Sequence, residues 1–124
     1  MRAFNHKIST AIVLNADYNS PPVPMKNIFM YSVAATITGT PTGTIKLQIS
    51  NDPETNDVMP SANPQPTPTH WVDYNGSQFS VGDSGETLWS VNQTTYNWVR
   101  VVFTDGSAGA STATMDIIVN AKGN

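Results

Sequence analysis

The chain has 124 residues, 39% of them hydrophobic and 12% charged, with nine prolines, eight glycines and no cysteine. That length suits one domain with one core, and the missing cysteines exclude disulfide scaffolds, thiol nucleophiles and thiolate metal sites. Six Lys and Arg against nine Asp and Glu leave a net charge of −3, so there is no phosphate-neutralising patch and nucleic acid is not an expected partner.

Arg2 and Lys7 ahead of Ala11-Ile12-Val13-Leu14 imitate the start of a signal peptide, but the apolar run is shorter than the ~7–15 residues such a segment needs. Lys7–Leu14 is therefore expected to be a strand. No apolar stretch approaches the ~20 residues that cross a bilayer as a helix, so membrane insertion is not expected. Pro21-Pro22-Val23-Pro24 is a bend. Ile28 to Thr38 is rich in β-branched and aromatic residues, with Phe29, Tyr31, Val33, Ala35 and Ile37 on one parity. Gly39 to Gly43 should turn the chain back into Thr44–Ser50, whose alternation puts Ile45, Leu47 and Ile49 on a buried face.

Asn51–His70 carries Pro53, Pro60, Pro64, Pro66 and Pro68. Such a long, proline-dense loop is expected to be a semi-rigid extended arm. Asn75-Gly76 predicts a type I′ hairpin turn between Trp71–Tyr74 and Gln78–Val81, setting Val72 opposite Phe79 and Asp73 opposite Gln78, with Val72, Phe79 and Val81 inward. Strands are also expected at Glu86–Val91, Tyr96–Thr104 and Thr112–Ala121, the last two joined by the Gly/Ser/Ala-rich turn Asp105–Ser111. No helix is predicted.

The pattern is all-β: one antiparallel, jelly-roll-like β-sandwich of about eight strands over residues 1–124, with an extended N-terminal segment (1–20) and a long proline-rich loop (51–70). Val33, Ile37, Ile45, Leu47, Ile49, Val99, Val101, Phe103, Ile117 and Val119 should share its core.

Catalytic constellations are missing. His6 and His70 are the only histidines and Glu54 and Glu86 the only glutamates, with no Gly-x-Ser-x-Gly elbow and no His-Glu-x-x-His pair, so the chain is not expected to be an enzyme. Asp52, Glu54 and Asp57 could offer oxygen ligands to calcium, but they lack the spacing of a dedicated loop; Asp52-Pro53 reads more simply as turn chemistry ending a strand. No cofactor is expected. Pro64-Gln65-Pro66-Thr67-Pro68 could form polyproline II, and an arm contacting a neighbouring subunit fits it better than an SH3-type ligand, because no basic residue flanks it. Trp89 shares parity with Val91 and should be internal. Trp71 falls opposite in parity to Val72 and should be exposed or lie under the proline loop. The residues expected to contact a subunit or ligand are thus Trp71 and Tyr74, with Met59, Pro60, Pro64, Pro66 and Pro68 on the arm.

Taken in order, Gly43-Thr44-Ile45-Lys46-Leu47-Gln48-Ile49-Ser50-Asn51-Asp52, His70-Trp71, Leu88-Trp89-Ser90-Val91, Tyr96-x-Trp98-Val99-Arg100-Val101 and Ala121-Lys122-Gly123 resemble small all-β phage structural proteins. The resemblance runs from about Ile28 to Gly123, leaves the N-terminal segment and the proline loop uncovered, and transfers no functional residue. It implies a non-enzymatic virion component, a capsid, vertex or decoration protein. Such a component is assembled in the host cytoplasm, and its partners are other copies of itself and other virion proteins. The contrasting expectation is a carbohydrate-binding or adhesion module, as at a fibre tip, taking a glycan on Trp71 and Tyr74.

Overall fold

A computed structural model describes residues 3–53 and 67–123. These form ten strands: β1 (Ala3–Val13), β2 (Tyr18–Asn19), β3 (Val23–Pro24), β4 (Met30–Thr38), β5 (Gly43–Ser50), β6 (Val72–Asp73), β7 (Phe79–Val81), β8 (Gly85–Val91), β9 (Trp98–Asp105) and β10 (Thr114–Lys122). There is no helix among the described residues. One sheet has the order β1-β10-β4-β8, and the other has β2-β9-β5-β6, with β3 also on β9 and β7 also on β5.

Because β2 and β3 share one partner, and so do β6 and β7, the second sheet has four rows, and the two sheets have eight. Numbered along the chain, the rows run 1-8-3-6 and 2-7-4-5. That is the jelly-roll arrangement. All pairings are antiparallel. Only the step from row 4 to row 5 stays within one sheet, and the proline loop makes it. The turn at Gly39–Gly43 therefore carries the chain across to the other sheet rather than back along the same one. Gly43 is required there, because a Cβ would lie 2.1 Å from the Thr104 carbonyl oxygen. The Asp105–Ser111 turn also crosses between sheets. It is held by the Asp105 carboxylate, which accepts from the Ser107 N–H and hydroxyl and from the Gly109 N–H.

The expected core forms as one cluster. Nine of the ten residues named for it are buried, and Ile49 packs partly buried at its margin. The strand expected from Lys7 begins at Ala3, so most of the N-terminal segment is a strand of the body. Its pairing with β10 is shifted between Lys7 and Ser9 and again between Ser9 and Ile12. Ala11 sits at φ 49°, and its N–H donates to Asp116 Oδ1 at 2.6 Å, so a carboxylate occupies the donor that this bulge removes from the ladder.

Two expectations about residues 71–81 are corrected. β6 and β7 do not pair with each other; both pair with β5, through Gln48↔Asp73 and Ile49↔Val72, and through Gly43↔Val81, Thr44↔Ser80 and Ile45↔Phe79. They are two lengths of one edge row, and Asn75-Gly76 is a bulge between them. Gly76 has φ +80° while Asn75 stays at negative φ, and the Ser77 N–H reaches the Tyr74 carbonyl at 3.1 Å. Positive φ at the third position alone belongs to a type II rather than a type I′ turn. Val72 and Phe79 do have the inward parity, but they are 65% and 45% exposed, because this edge row overhangs the facing sheet. Phe29 likewise keeps its parity but precedes β4 and is exposed.

Both edge rows of the second sheet are thus broken, at Ser20-Pro21-Pro22 and at Tyr74–Ser77, and a buried serine mends each break. Ser20 N–H donates to the Val101 carbonyl at 2.9 Å, and Ser20 Oγ accepts from Val101 N–H at 2.9 Å. Ser77 Oγ accepts from Leu47 N–H at 3.0 Å and donates back to the Leu47 carbonyl at 3.3 Å. Leu47 and Val101 lie in the two central rows, where an orphaned amide costs ~1–3 kcal/mol. Ser20→Ala and Ser77→Ala are each expected to lose that much stability in urea titrations, whereas Ser80→Ala, at an exposed position of the same sheet, should change it by less than ~0.5 kcal/mol.

Candidate functional site

The proline loop leaves β5 and returns to β6 through a closed neck. Asp52 Oδ2 accepts from the backbone N–H groups of Thr69 (2.7 Å) and His70 (3.1 Å), and Asp52 Oδ1 lies 3.0 Å from His70 Nδ1. The Asp52 carbonyl accepts from Asn97 Nδ2 at 3.0 Å and from the indole of Trp98 at 3.1 Å. Asp52 N–H in turn donates to Ser50 Oγ at 3.1 Å. The turn chemistry expected at Asp52-Pro53 is present, and its reach extends to the far side of the loop. Trp98 has the outward parity of β9 yet is buried, because the neck lies over it. Glu54 and Asp57, the other carboxylates considered for calcium, lie outside the described residues. Among the described residues no three His, Asp or Glu side chains converge on a cation site.

Trp71 stands next to the neck on the outer face of the second sheet. Its indole N–H donates to the Pro68 carbonyl at 3.1 Å, and Pro68 itself is buried. The Arg100 guanidinium lies 4.3 Å over the Trp71 ring, a cation–π geometry. Arg100 also donates to Gln48 Oε1 through Nε (2.9 Å) and Nη2 (2.6 Å). Gln48 Nε2 passes the chain on to Asp73 Oδ1 at 2.9 Å, and Lys46 Nζ meets Asp73 Oδ2 at 3.0 Å. This run across β9, β5 and β6 ties Arg100, Gln48, Asp73 and Lys46 together and sets the guanidinium over one face of Trp71. Its residues share the outward parity of their strands, which was legible, but which charges would meet depended on a register the sequence does not state.

Tyr74 faces the other way. Its ring packs at 6.1 Å from that of Tyr96, which lies 6.3 Å from Tyr31, and the Tyr31 and Tyr96 hydroxyls are 2.5 Å apart. Burial pushes Tyr96 up to about 12 and Tyr31 well above the ordinary phenol value. Trp71 and Tyr74 therefore lie on opposite sides of β6 and form no shared platform. Met59, Pro60, Pro64 and Pro66 lie outside the described residues.

The two lateral openings of the sandwich differ. On the β7/β8 side Trp89 is buried as expected; its indole N–H donates to the Ser77 carbonyl at 2.8 Å, and its ring lies 6.2 Å from that of Phe79. On the β1/β3 side the gap stays open as a groove of about 570 Å³, lined by Phe4, His6, Ile8, Pro22 and Val23 among others. Sequence reasoning marked the proline bend but gave it no role, and it began the strand too late to include Phe4. The Phe4-x-His6-x-Ile8 alternation was the available signal.

The Thr69 N–H, followed by the His70 N–H and ring, holds the Asp52 carboxyl below its ordinary value of 3.8. A depressed native value contributes stability that is present above the unfolded carboxyl value, ~3.9, and is lost as pH falls through the native one. Amide exchange of Thr69 and His70 should therefore be protected at pH 6, lose that protection on acidification below about pH 4, and be faster by roughly tenfold or more in Asp52→Ala at pH 6.

No protein-family model matches the chain, and no curated protein matches it in sequence. Among solved structures, its fold is similar to that of the SPBc2 prophage-derived protein YomS, with a TM-score of 0.57 over 98% of this chain and 94% of that one, at 9% sequence identity. The likeness is one of fold, and it extends over nearly the whole of both chains.

Proposed function

We propose that the chain is a non-enzymatic structural component of a phage virion, a capsid, vertex or decoration protein that acts through subunit contacts. The observation that supports this most is the near full-length likeness to a prophage-derived protein. The jelly roll is an architecture used repeatedly in viral shells, although a fold alone does not assign a role. The outer surfaces agree with the reading. The outer face of the first sheet is built largely from neutral polar and small residues, with rows such as Ser90-Ser32-Asn120-Asn5 across β8, β4, β10 and β1. Away from Lys7, Glu86, Asp116 and Lys122, such a face offers neutral polar surface for shape-matched packing against further copies and other virion proteins.

The arm between the two sides of the neck is the second means of contact. Its prolines lower the entropy lost when an extended segment docks, and the neck keeps its base in one place. Mass spectrometry of particles released by a host carrying the gene should find the chain at a stoichiometry of many copies; its absence from particles overturns the reading. Replacing residues 54–66 by a Gly/Ser linker of equal length, with the neck intact, should leave thermal melting of the isolated domain within about 2 °C and reduce incorporation into particles severalfold. Normal incorporation together with a much lower melting temperature would make the loop a cover for its own domain.

A further inference from the structure

The two lateral edges of the sandwich complement each other. β1 and the β2/β3 row end the two sheets on one side, and β8 and the β6/β7 row end them on the other. The first side carries the apolar groove lined by Phe4, Ile8, Pro22 and Val23. The second carries large apolar side chains that the described residues leave exposed: Leu88 at 59%, Val72 at 65% and Phe79 at 45%. Phe79 and Val72 face the gap between the sheets from their edge row; Val72 lies in the same cross-strand line as the groove residue Val23, through Ile49 and Val99, and Phe79 in the line of Tyr18, through Ile45 and Phe103. Charge follows the same division, with Lys7 on β1 and Asp83 and Glu86 at β8.

We infer that copies of this chain join head to tail, with β1 of one molecule adding antiparallel to β8 of the next and the Phe79 overhang entering the neighbour's groove. Strand direction permits it. With every pairing antiparallel, β1 and β8, at the two ends of a four-strand sheet, run in opposite senses, and so do the end rows of the other sheet. A neighbour brought alongside in the same orientation therefore continues both sheets with antiparallel pairing. A register that sets Lys7 opposite Glu86 also sets Asn5 opposite Leu88 on the outer face and Phe4 opposite Trp89 on the inner one. Lys7, which meets Asp116 of its own chain at 3.4 Å, would then lie between two carboxylates. Such a contact uses different surfaces on the two molecules, so it generates rings where its rotation closes, and it covers the exposed edge rows of both sheets in each molecule. The inference deepens the virion reading, on which it rests for its biological setting, by naming the partner as a second copy and the surfaces as the two edges.

The natural absence of cysteine gives a clean background for cross-linking. The full-length chain with both Asn5→Cys and Leu88→Cys, oxidised at high concentration, should give a ladder of dimers, trimers and higher species on a non-reducing gel. An equimolar mixture of the two single variants should stop at dimers. Adding Lys7→Glu should reduce the ladder several-fold, and adding Glu86→Lys to that variant should restore it. A dominant dimer from Asn5→Cys alone would mean two-fold pairing of β1 with itself and overturns the inference. So does a chain that stays monomeric in every variant while folding normally by circular dichroism. A ladder from a protein that is absent from particles would instead retain the edge contact and remove the virion setting, whereas particles containing the chain without any ladder would do the reverse.

Discussion

The second sheet depends on serine hydroxyls standing in for backbone. Its two central rows, β9 and β5, are buried and need partners on both sides, yet each outer row is interrupted, by two prolines at one edge and by the Asn75-Gly76 bulge at the other. A buried amide without a partner would cost as much as several methylene groups gain. Ser20 and Ser77 remove that cost at Val101 and Leu47. The interruptions can therefore do other work. The proline bend at Pro21-Pro22 lines the open groove, and the second bulge brings the Ser77 carbonyl to the Trp89 indole, which closes the opposite side of the gap.

The long strands were legible because their side chains alternate against a single core. Ile45-x-Leu47, Val99-x-Val101-x-Phe103 and Ile117-x-Val119 each state a buried face by themselves. What the sequence could not state was which strand lies beside which. Asn75-Gly76 is a turn, as its residues indicate, but a turn specifies a local reversal or bulge and not the partner of the strands on either side. The pairing was decided by β5, which offers one long edge to both β6 and β7. Parity failed in the same way at Val72, Phe79 and Trp98. Alternation says which side of a sheet a residue lies on, whereas exposure depends on how far the facing sheet extends and on what crosses the outer face.

The candidate site was legible in part. Trp71 stands at the neck of the proline loop, as one of its two expected settings allowed, and the Asp52 turn chemistry is present. Tyr74, paired with Trp71 because the two are close along the chain, belongs to an internal cluster of three tyrosines. Arg100 and Gln48 come to Trp71 from residues far away in sequence, and no local pattern announces a contact of that separation. The groove was missed because its walls belong to different sheets, and each wall alone is an ordinary strand or bend.

The pairing of β1 with β10 sets Ala3 beside Lys122, so the first strand of this domain waits for its last. Six of the seven row-to-row steps also cross between sheets, which leaves few contacts that can form while the chain is short. High sequence separation between partners slows folding, and an edge strand that waits can pair with the wrong chain. The polar character of β1, with Asn5, His6, Lys7, Ser9 and Thr10 among its eleven residues, keeps that waiting segment poorly suited to aggregation. The same adjacency brings the two ends of the domain together, so a short peptide could join them and new ends could be opened at an exposed turn without disturbing either sheet.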